Sequence, residues 1–453
     1  MFSKILIANR GEIAVRIIRA CREMGISTVA IYSKADKDAM HVQLADESYC
    51  VGGSRVADSY LNIPAILTVA VESGAQAIHP GYGLLSENAK FVSLCEQCNI
   101  DFIGPDSKMI AMLGDKDMAR KTMREAGVPV TPGCDVVTDI ETAKKEAEKI
   151  GFPLLIKARS GGGGKGIRLV EVDEQFEEAF LSASAEAKAA FGDGACYIEK
   201  FIHPVKHIEM QLLCDKYGNM VCLGERECSV QRKNQKMIEE SPSPALDEKT
   251  RKKMMAAAVR AAKAVNYVNA GTVEFLLDRD SNFYFMEMNT RLQVEHGVTE
   301  MVTGLDIVQW QIRIAAGARL TRTQDSIFTH GNVIECRINA ENPEKGYRPS
   351  CGRISRLHTP GGSFVRFDTA VYQDYVVPPY YDSMIGKLIV QARSRAEAIR
   401  KMKMALSELT IDGIDINRDI LAEILSDDRF VSGEYTTDFM REFEEERTML
   451  IRN

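Results

Sequence analysis

The feature that most restricts the fold of this chain is a run of glycines between two strand-like segments. Ser160-Gly161-Gly162-Gly163-Gly164-Lys165-Gly166 is preceded by Leu154–Ala158 and followed by Ile167–Val170. A Walker A loop ends in Gly-Lys-Ser/Thr, whereas Gly follows Lys165. A dinucleotide fingerprint requires strand, turn, then helix, and here a second β-rich run follows the glycines. The run therefore reads as the tip of a β-hairpin. Backbone N–H groups unscreened by Cβ atoms form an anion-binding nest, and Lys157 and Lys165 add positive charge. A triphosphate is the expected ligand; a surface turn without a ligand is the alternative.

Upstream, short apolar runs alternate with helical faces. Residues 4–8, 28–32, 77–79 and 102–103 read as strands, and residues 65–72 and 86–97 as helices. Ile13, Ala14, Ile17, Ile18 and Cys21 make one apolar helical face. This alternation predicts a parallel sheet wrapped by helices. Asn9-Arg10-Gly11 falls at the first strand-to-helix turn, where open α/β sheets tend to bind ligands. Residues 115–130 read as helical, and Pro129, Pro132 and Gly133 mark a boundary. A second α/β region extends from 151 to about 200, and Glu-rich strands run on to about 331. The remainder holds strands at 333–338 and 387–391 and a charged helical tail.

A net charge of -7 argues against a nucleic-acid partner, which would be met by a basic surface. No apolar stretch reaches the roughly 18 residues of a membrane span, and residues 5–8 are too short an apolar run for a secretory leader. The 11 cysteines are scattered and read as reduced cytoplasmic thiols. Cys95-x-x-Cys98, at a helix end without a second pair, reads as structural rather than redox or zinc-binding.

Two further segments carry chemistry. Glu274 lies in an apolar strand-like run, and Glu287 and Asn289 lie in the next one, with residues 279–282 as the turn between them. Carboxylates among aromatics need partners, because an unpaired buried charge is costly. Hard oxygen ligands of this kind suit magnesium on nucleotide phosphates; ion pairs with Arg226 or Arg291 are the alternative. In residues 290–296, Arg291, Gln293 and Glu295 share a face if the segment is extended. An Arg fork suits a planar carboxylate or bicarbonate, and a Glu beside it a general base; a polar sheet edge is the bland reading.

The order of these parts resembles the ATP-grasp enzymes, and over essentially its whole length the chain resembles the biotin carboxylase subunit of acyl-CoA carboxylases. The resemblance rests on IANRGEIA (7–14), HPGYG (79–83), LSEN (85–88), FIGP (102–105), GDK (114–116), GGGGKG (161–166), QRKNQK (231–236), EMNTRLQVEH (287–296), ECRINAE (335–341) and PPYYDSMIGK (378–387). It implies an α/β and α+β multidomain protein. Residues 1–114 would be an N-terminal parallel α/β domain and residues 115–331 a central ATP-grasp domain, with a mobile Gly-rich hairpin lid at about 131–200. Residues 332–453 would be a C-terminal mixed α/β domain.

Residue by residue, the resemblance implies that Lys116, Lys157, Gly163, Gly164, Lys165 and Gly166 meet ATP phosphates. Glu199, Lys200, Ile202, His207, Gln231, Asn234 and Leu276 would meet the rest of ATP. Glu274, Glu287 and Asn289 would hold two magnesium or manganese ions. Lys236, Arg291, Gln293 and the Val294 backbone would hold bicarbonate, with Glu295 as its base. Arg337 would bind the biotin ureido oxygen, beside Tyr82 and Gly83. Lys236, Arg291, Glu295 and Arg337 are thus the expected catalytic set. The implied reaction makes carboxyphosphate and then carboxybiotin on a separate carrier protein, serving carboxyltransferase subunits of acetyl-CoA carboxylase and so malonyl-CoA and fatty-acid synthesis. A homodimer is implied as well. Carboxylases of pyruvate or another acyl-CoA, and a different ATP-grasp carboxylate-amine ligase, are the alternatives.

Four positions depart from the family pattern: Asn234 where His is common, Gly297 where Pro is usual, 347–352 without the expected Pro before Gly, and Ser241-Pro242-Ser243-Pro244 in place of alanines. The triplet Met402-Lys403-Met404 imitates a biotin attachment site, but Ala398, Met402, Leu406 and Leu409 are spaced for one helical face, so the carrier is expected on another chain.

Overall fold

The computed structural model describes residues 1–159 and 167–452. Strands β1 (Lys4–Ile7), β2 (Ser27–Ser33), β3 (Glu47–Gly52), β4 (Ala77–His79) and β5 (Asp101–Phe102) form a parallel sheet in the order β3-β2-β1-β4-β5. The order reverses between β1 and β4, so the loops leaving these strands diverge and open a crevice at their carboxyl ends. Helix α1 (Gly11–Glu23) starts at that crevice and buries Ile13, Ala14, Ile17, Ile18 and Cys21, as the spacing requires. Strand β3 was not legible, because only Val51 in it is buried and no apolar run marks it.

Two helices are shorter than expected, for reasons of capping. The helix expected over 86–97 is α2 (Ala89–Gln97), because the Asn88 side chain accepts the Phe91 amide at 2.9 Å. The one expected over 115–130 is α3 (Lys116–Glu125). Asp115 accepts two first-turn amides, and Gly127, at φ +69°, turns the chain away after the last residue.

Strands β6 (Leu154–Ala158), β7 (Ile167–Val170) and β8 (Cys196–Lys200) form a small antiparallel sheet in the order β7-β6-β8. Its core includes Ile156, Val170, Phe176 and Phe180, with α4 (Ile140–Ile150) and α5 (Phe176–Phe191) packed on it. The pairing of Lys157 with Ile167 makes β6 and β7 the two arms of the expected hairpin. Residues 160–166, and with them Gly163, Gly164, Lys165 and Gly166, lie outside the described residues.

The floor of the molecule is an eight-stranded antiparallel sheet. Its strands are β9 (Val205–Cys214), β10 (Met220–Arg232), β11 (Gln235–Ser241), β12 (Asn269–Asp278), β13 (Phe283–Asn289), β14 (Asn332–Asn339), β15 (Val365–Thr369) and β16 (Met384–Ala392). They run in the order β13-β12-β9-β10-β11-β14-β16-β15, so strands from 332 onwards continue the central sheet without a break. Helix α6 (Glu248–Ala264) lays Met254, Ala257, Ala258 and Ala261 into the core beneath it. Helix α7 (Arg395–Glu408) buries Ala398, Met402 and Leu406 and exposes Lys403. Lys403 therefore sits on a helix and not in the exposed turn that a biotinylated lysine needs.

Candidate active site

Antiparallel register sets polar residues in a row across four strands. Glu287 of β13 is opposite Glu274 of β12, Glu274 is opposite Glu209 of β9, and Glu209 is opposite Arg226 of β10. Like charges directly opposite one another are destabilising unless a cation intervenes. Arg226, fully buried, satisfies Glu209 through Nε at 2.5 Å, and it also donates to Gln211 and Thr299. The Lys236 ammonium, entering from β11, reaches Glu209 at 2.7 Å, Glu274 at 3.2 Å and Glu295 at 2.6 Å. His207 adds a contact to Glu274 at 3.1 Å. Neither Arg226 nor Arg291 bridges Glu274 or Glu287, so the alternative of structural pairs with those arginines does not hold.

Glu287 has no ion pair or hydrogen bond among the described residues. Burial and the facing Glu274 push its carboxyl up, against the pull of Lys116. Asn289, two residues on, presents Oδ1 to Arg291 at 2.9 Å and leaves its buried Nδ2 without a partner. Two opposed carboxylates, one of them unpaired, with an amide oxygen beside them fit a hard divalent cation.

Residues 290–295 are not the extended strand that the alternation suggested. They form a loop that ends at helix α8 (His296–Thr303), with Glu295 as its N-cap residue. The sidedness survives only at Leu292, which is buried in the core, while Arg291, Gln293, Val294 and Glu295 all line the cleft. Glu87 anchors the loop by accepting from the Thr290 amide at 3.0 Å and Arg291 Nε at 2.8 Å. Gln293 donates to Glu274 at 3.0 Å. Arg337 reaches Glu295 at 2.9 Å and, through Nε, Glu239 at 2.6 Å. Burial pushes the Glu295 carboxyl up, but Lys236 and Arg337 outweigh it and hold the group well below the usual carboxylate range. Burial likewise pushes Glu209 and Glu239 up, and for these it prevails.

These groups line a cleft of about 760 Å³ between the central sheet and the small sheet. Every sequence-predicted site residue among the described residues is on its wall. Lys116, Lys157, Glu199, Lys200, Ile202, His207, Gln231, Asn234 and Leu276 form the nucleotide end expected from the resemblance, Tyr82, Gly83, Arg291, Gln293, Val294, Glu295 and Arg337 form the rest, and Glu274, in contact with both His207 and Gln293, joins the two groups. Lys157 and Arg120 both contact Glu199, at 2.5 and 3.3 Å. The Lys200 ammonium points elsewhere, onto the carbonyls of Gly151 and Phe152. Asn234 sits in the β10–β11 turn with Lys233, at φ +62° and +49°, a conformation Asn tolerates better than most residues. A second cavity of about 360 Å³ shares Tyr82, Gly83, Lys236, Val294 and Arg337 with the cleft and extends past Asn9, Arg10 and Gly11 into the crevice of the N-terminal sheet.

Sequence reasoning missed Arg120, Glu209 and Glu239, and Thr437 from the C-terminal segment, and it named Arg226 only as a partner for Glu274 or Glu287, whereas Arg226 pairs with Glu209. The available signal for Glu209 and Glu239 was a charged side chain inside strands with no polar face. Thr437 carried none, because only the tertiary fold brings it to the cleft.

A sheet-floored cleft, roofed by a separate hairpin layer and lined by opposed carboxylates and lysines, defines an ATP-grasp ligase. Residues 1–110 match the model for the biotin carboxylase N-terminal domain, 115–323 that for the carbamoyl-phosphate synthase L chain ATP-binding domain, and 335–442 that for the biotin carboxylase C-terminal domain. A biotin carboxylase of Nostoc sp. is 55% identical over 97% of this chain and 99% of its own. The biotin carboxylase–β-γ-ATP complex of Campylobacter jejuni superposes with a TM-score of 0.93 at 50% identity, covering 98% of this chain and 99% of that one. The biotin carboxylase domain dimer of Hydrogenobacter thermophilus 2-oxoglutarate carboxylase, solved with MgADP, ADP and bicarbonate, gives 0.92 at 50% identity over 98% of each. The chain belongs to the biotin carboxylase family and is an ATP-dependent ligase. No helix among the described residues is long and apolar enough to cross a membrane.

Proposed function

We propose that this chain uses MgATP and bicarbonate to carboxylate biotin on a separate carrier protein, as the first half-reaction of acetyl-CoA carboxylase, and that it works as a cytoplasmic homodimer. The observation that carries the reading is the position of Glu295, in contact with both Lys236 and Arg337 where the two cavities meet. Glu274, Glu287 and Asn289 would hold two magnesium ions, which when bound neutralise phosphate charge. Lys116 and Lys157, with Gly163–Gly166, attract the phosphates. Glu199, His207, Gln231, Asn234, Ile202 and Leu276 receive the remainder of ATP, and Lys200 contributes through its main chain because its ammonium is engaged elsewhere. We assign residues 1–114, 115–331 and 332–453 as the three domains.

Bicarbonate takes the space framed by Lys236, Arg291, Gln293 and Val294. Glu295, ionised at neutral pH by its two cations, accepts the bicarbonate proton, and the oxygen so freed attacks the terminal phosphorus in line as its bond to the bridging oxygen breaks and ADP leaves. The lysines offset charge that builds on the transferring group. Carboxyphosphate then yields carbon dioxide and phosphate. Phosphate removes the biotin N1′ proton, Arg337 stabilises the ureido enolate, and N1′ attacks carbon dioxide as the ureido carbonyl reforms, giving carboxybiotin. The acceptor of the carboxyl group never enters this cleft. Acetyl-CoA is our assignment for it, and the 2-oxoglutarate carboxylase relative makes an oxo-acid acceptor the second reading.

ADP release with MgATP and bicarbonate, with and without high free biotin, tests the reaction. Biotin-stimulated, bicarbonate-dependent release that Arg337→Ala abolishes is expected. Turnover indifferent to biotin refutes the reading. Sequencing the carrier and transferase that co-purify with the chain distinguishes acetyl-CoA from an oxo-acid as acceptor.

A further inference from the structure

Lys387 of β16 has a fully buried side chain and belongs to no substrate wall. Its ammonium donates to the Val294 carbonyl at 2.7 Å and pairs with Glu12, in the first turn of α1, at 3.2 Å. Glu12 in turn accepts a hydrogen bond from the Tyr82 hydroxyl, and the Lys387 ammonium lies 5.9 Å from the Tyr82 ring centroid. Lys387 is also the cross-strand neighbour of Arg337. One buried ion pair therefore joins helix α1, the loop carrying Val294 and Glu295, and the strand beside the one carrying Arg337. A buried pair is a poor source of stability compared with apolar packing, so its presence calls for another account.

We propose that Glu12 and Lys387 are positioning residues. By fixing the Val294 carbonyl they aim the Val294–Glu295 turn at bound bicarbonate, and by fixing Tyr82 they hold the wall shared with the second cavity in register with it. The inference rests on the carboxylase reading above. It concerns how bicarbonate and the biotin ring are aligned, and leaves the nucleotide end untouched.

The test compares the wild-type chain with Lys387→Met, with Glu12→Gln/Lys387→Met, which removes both charges of the pair, and with that double variant carrying Glu335→Gln, because buried Glu335 also faces the Lys387 ammonium, by ADP release at varied ATP, bicarbonate and biotin and by thermal melting. The double variant is expected to melt close to the wild type. Its bicarbonate KM should rise about tenfold or more, as for loss of a charge-assisted hydrogen bond that orients a site, and its biotin-stimulated rate should fall, with the ATP KM within about twofold. If Lys387→Met does not fold, the double variant decides. A folded double variant with wild-type bicarbonate KM, or with ATP and bicarbonate KM rising together, overturns the proposal. A wild-type protein without biotin-stimulated turnover would instead sink the carboxylase reading, and the two failures are separable.

Discussion

Replacing Glu295 by Gln is expected to remove activity while sparing the fold. The carboxylate touches Lys236 at 2.6 Å and Arg337 at 2.9 Å, yet each cation has a second partner. Lys236 keeps Glu209 at 2.7 Å and Glu274 at 3.2 Å, and Arg337 keeps Glu239 at 2.6 Å. Glu209 and Glu239 already touch these cations, so neither cation is left without a carboxyl partner when Glu295 is neutralised. The stability cost should be about 1–2 kcal/mol, against roughly 3–5 for Lys236→Met, which strips the shared cation from three buried carboxylates. The catalytic loss should be about 10²–10⁴-fold in kcat, the usual worth of a general base. Biotin-dependent ADP release and thermal melting, run on both variants, give the comparison. Glu295→Gln with near wild-type turnover refutes its role as base. Glu295→Gln as unstable as Lys236→Met refutes the argument that the cations are shared.

Glu274→Gln removes one of the two opposed carboxylates, so the magnesium concentration for half-maximal activity should rise about tenfold or more, read by a metal titration of ADP release. Glu300 is buried between Arg16 and Arg366, each at 2.8 Å. Burial pushes its carboxyl up, but Arg16, His296 and Arg366 outweigh that and hold it below the usual range. A depressed carboxylate gives stability that is present above its unfolded pKa, about 4.3, and lost as pH falls through the folded value. Glu300→Gln should therefore destabilise at neutral pH and flatten the acid limb of a melting-versus-pH profile. Asn234→His should make the ATP KM fall below about pH 6.5, where the imidazole charges, at a cost of about 0.5–1 kcal/mol for His in a left-handed turn. An ATP KM equal to the wild type at every pH would remove Asn234 from the nucleotide end.

Local chemistry accounts for what the sequence alone determined. Hairpin arms, strand-and-helix alternation and the motif residues depend on neighbours a few positions away, so β6, β7 and β13 match the apolar runs at residues 154–158, 167–170 and 283–289. Part of the wall was legible because Tyr82, Lys116, Lys236, Arg291 and Arg337 stand in short motifs, whereas Arg120 and Thr437 stand in none. The tertiary structure alone decided what depends on register and long-range pairing. The carboxylates of Glu209, Glu274 and Glu295 meet at one ammonium only because three strands and a helix cap are aligned to bring them there. The 290–295 segment became a cap rather than a strand because Glu87, some 200 residues away in sequence, holds it, a contact that no periodicity encodes. Glu12 and Lys387 each stand in a quoted motif, IANRGEIA and PPYYDSMIGK, but nothing in the sequence pairs them. Their pairing exists because closing the chain removes both from water, where a charge is stable only beside its opposite.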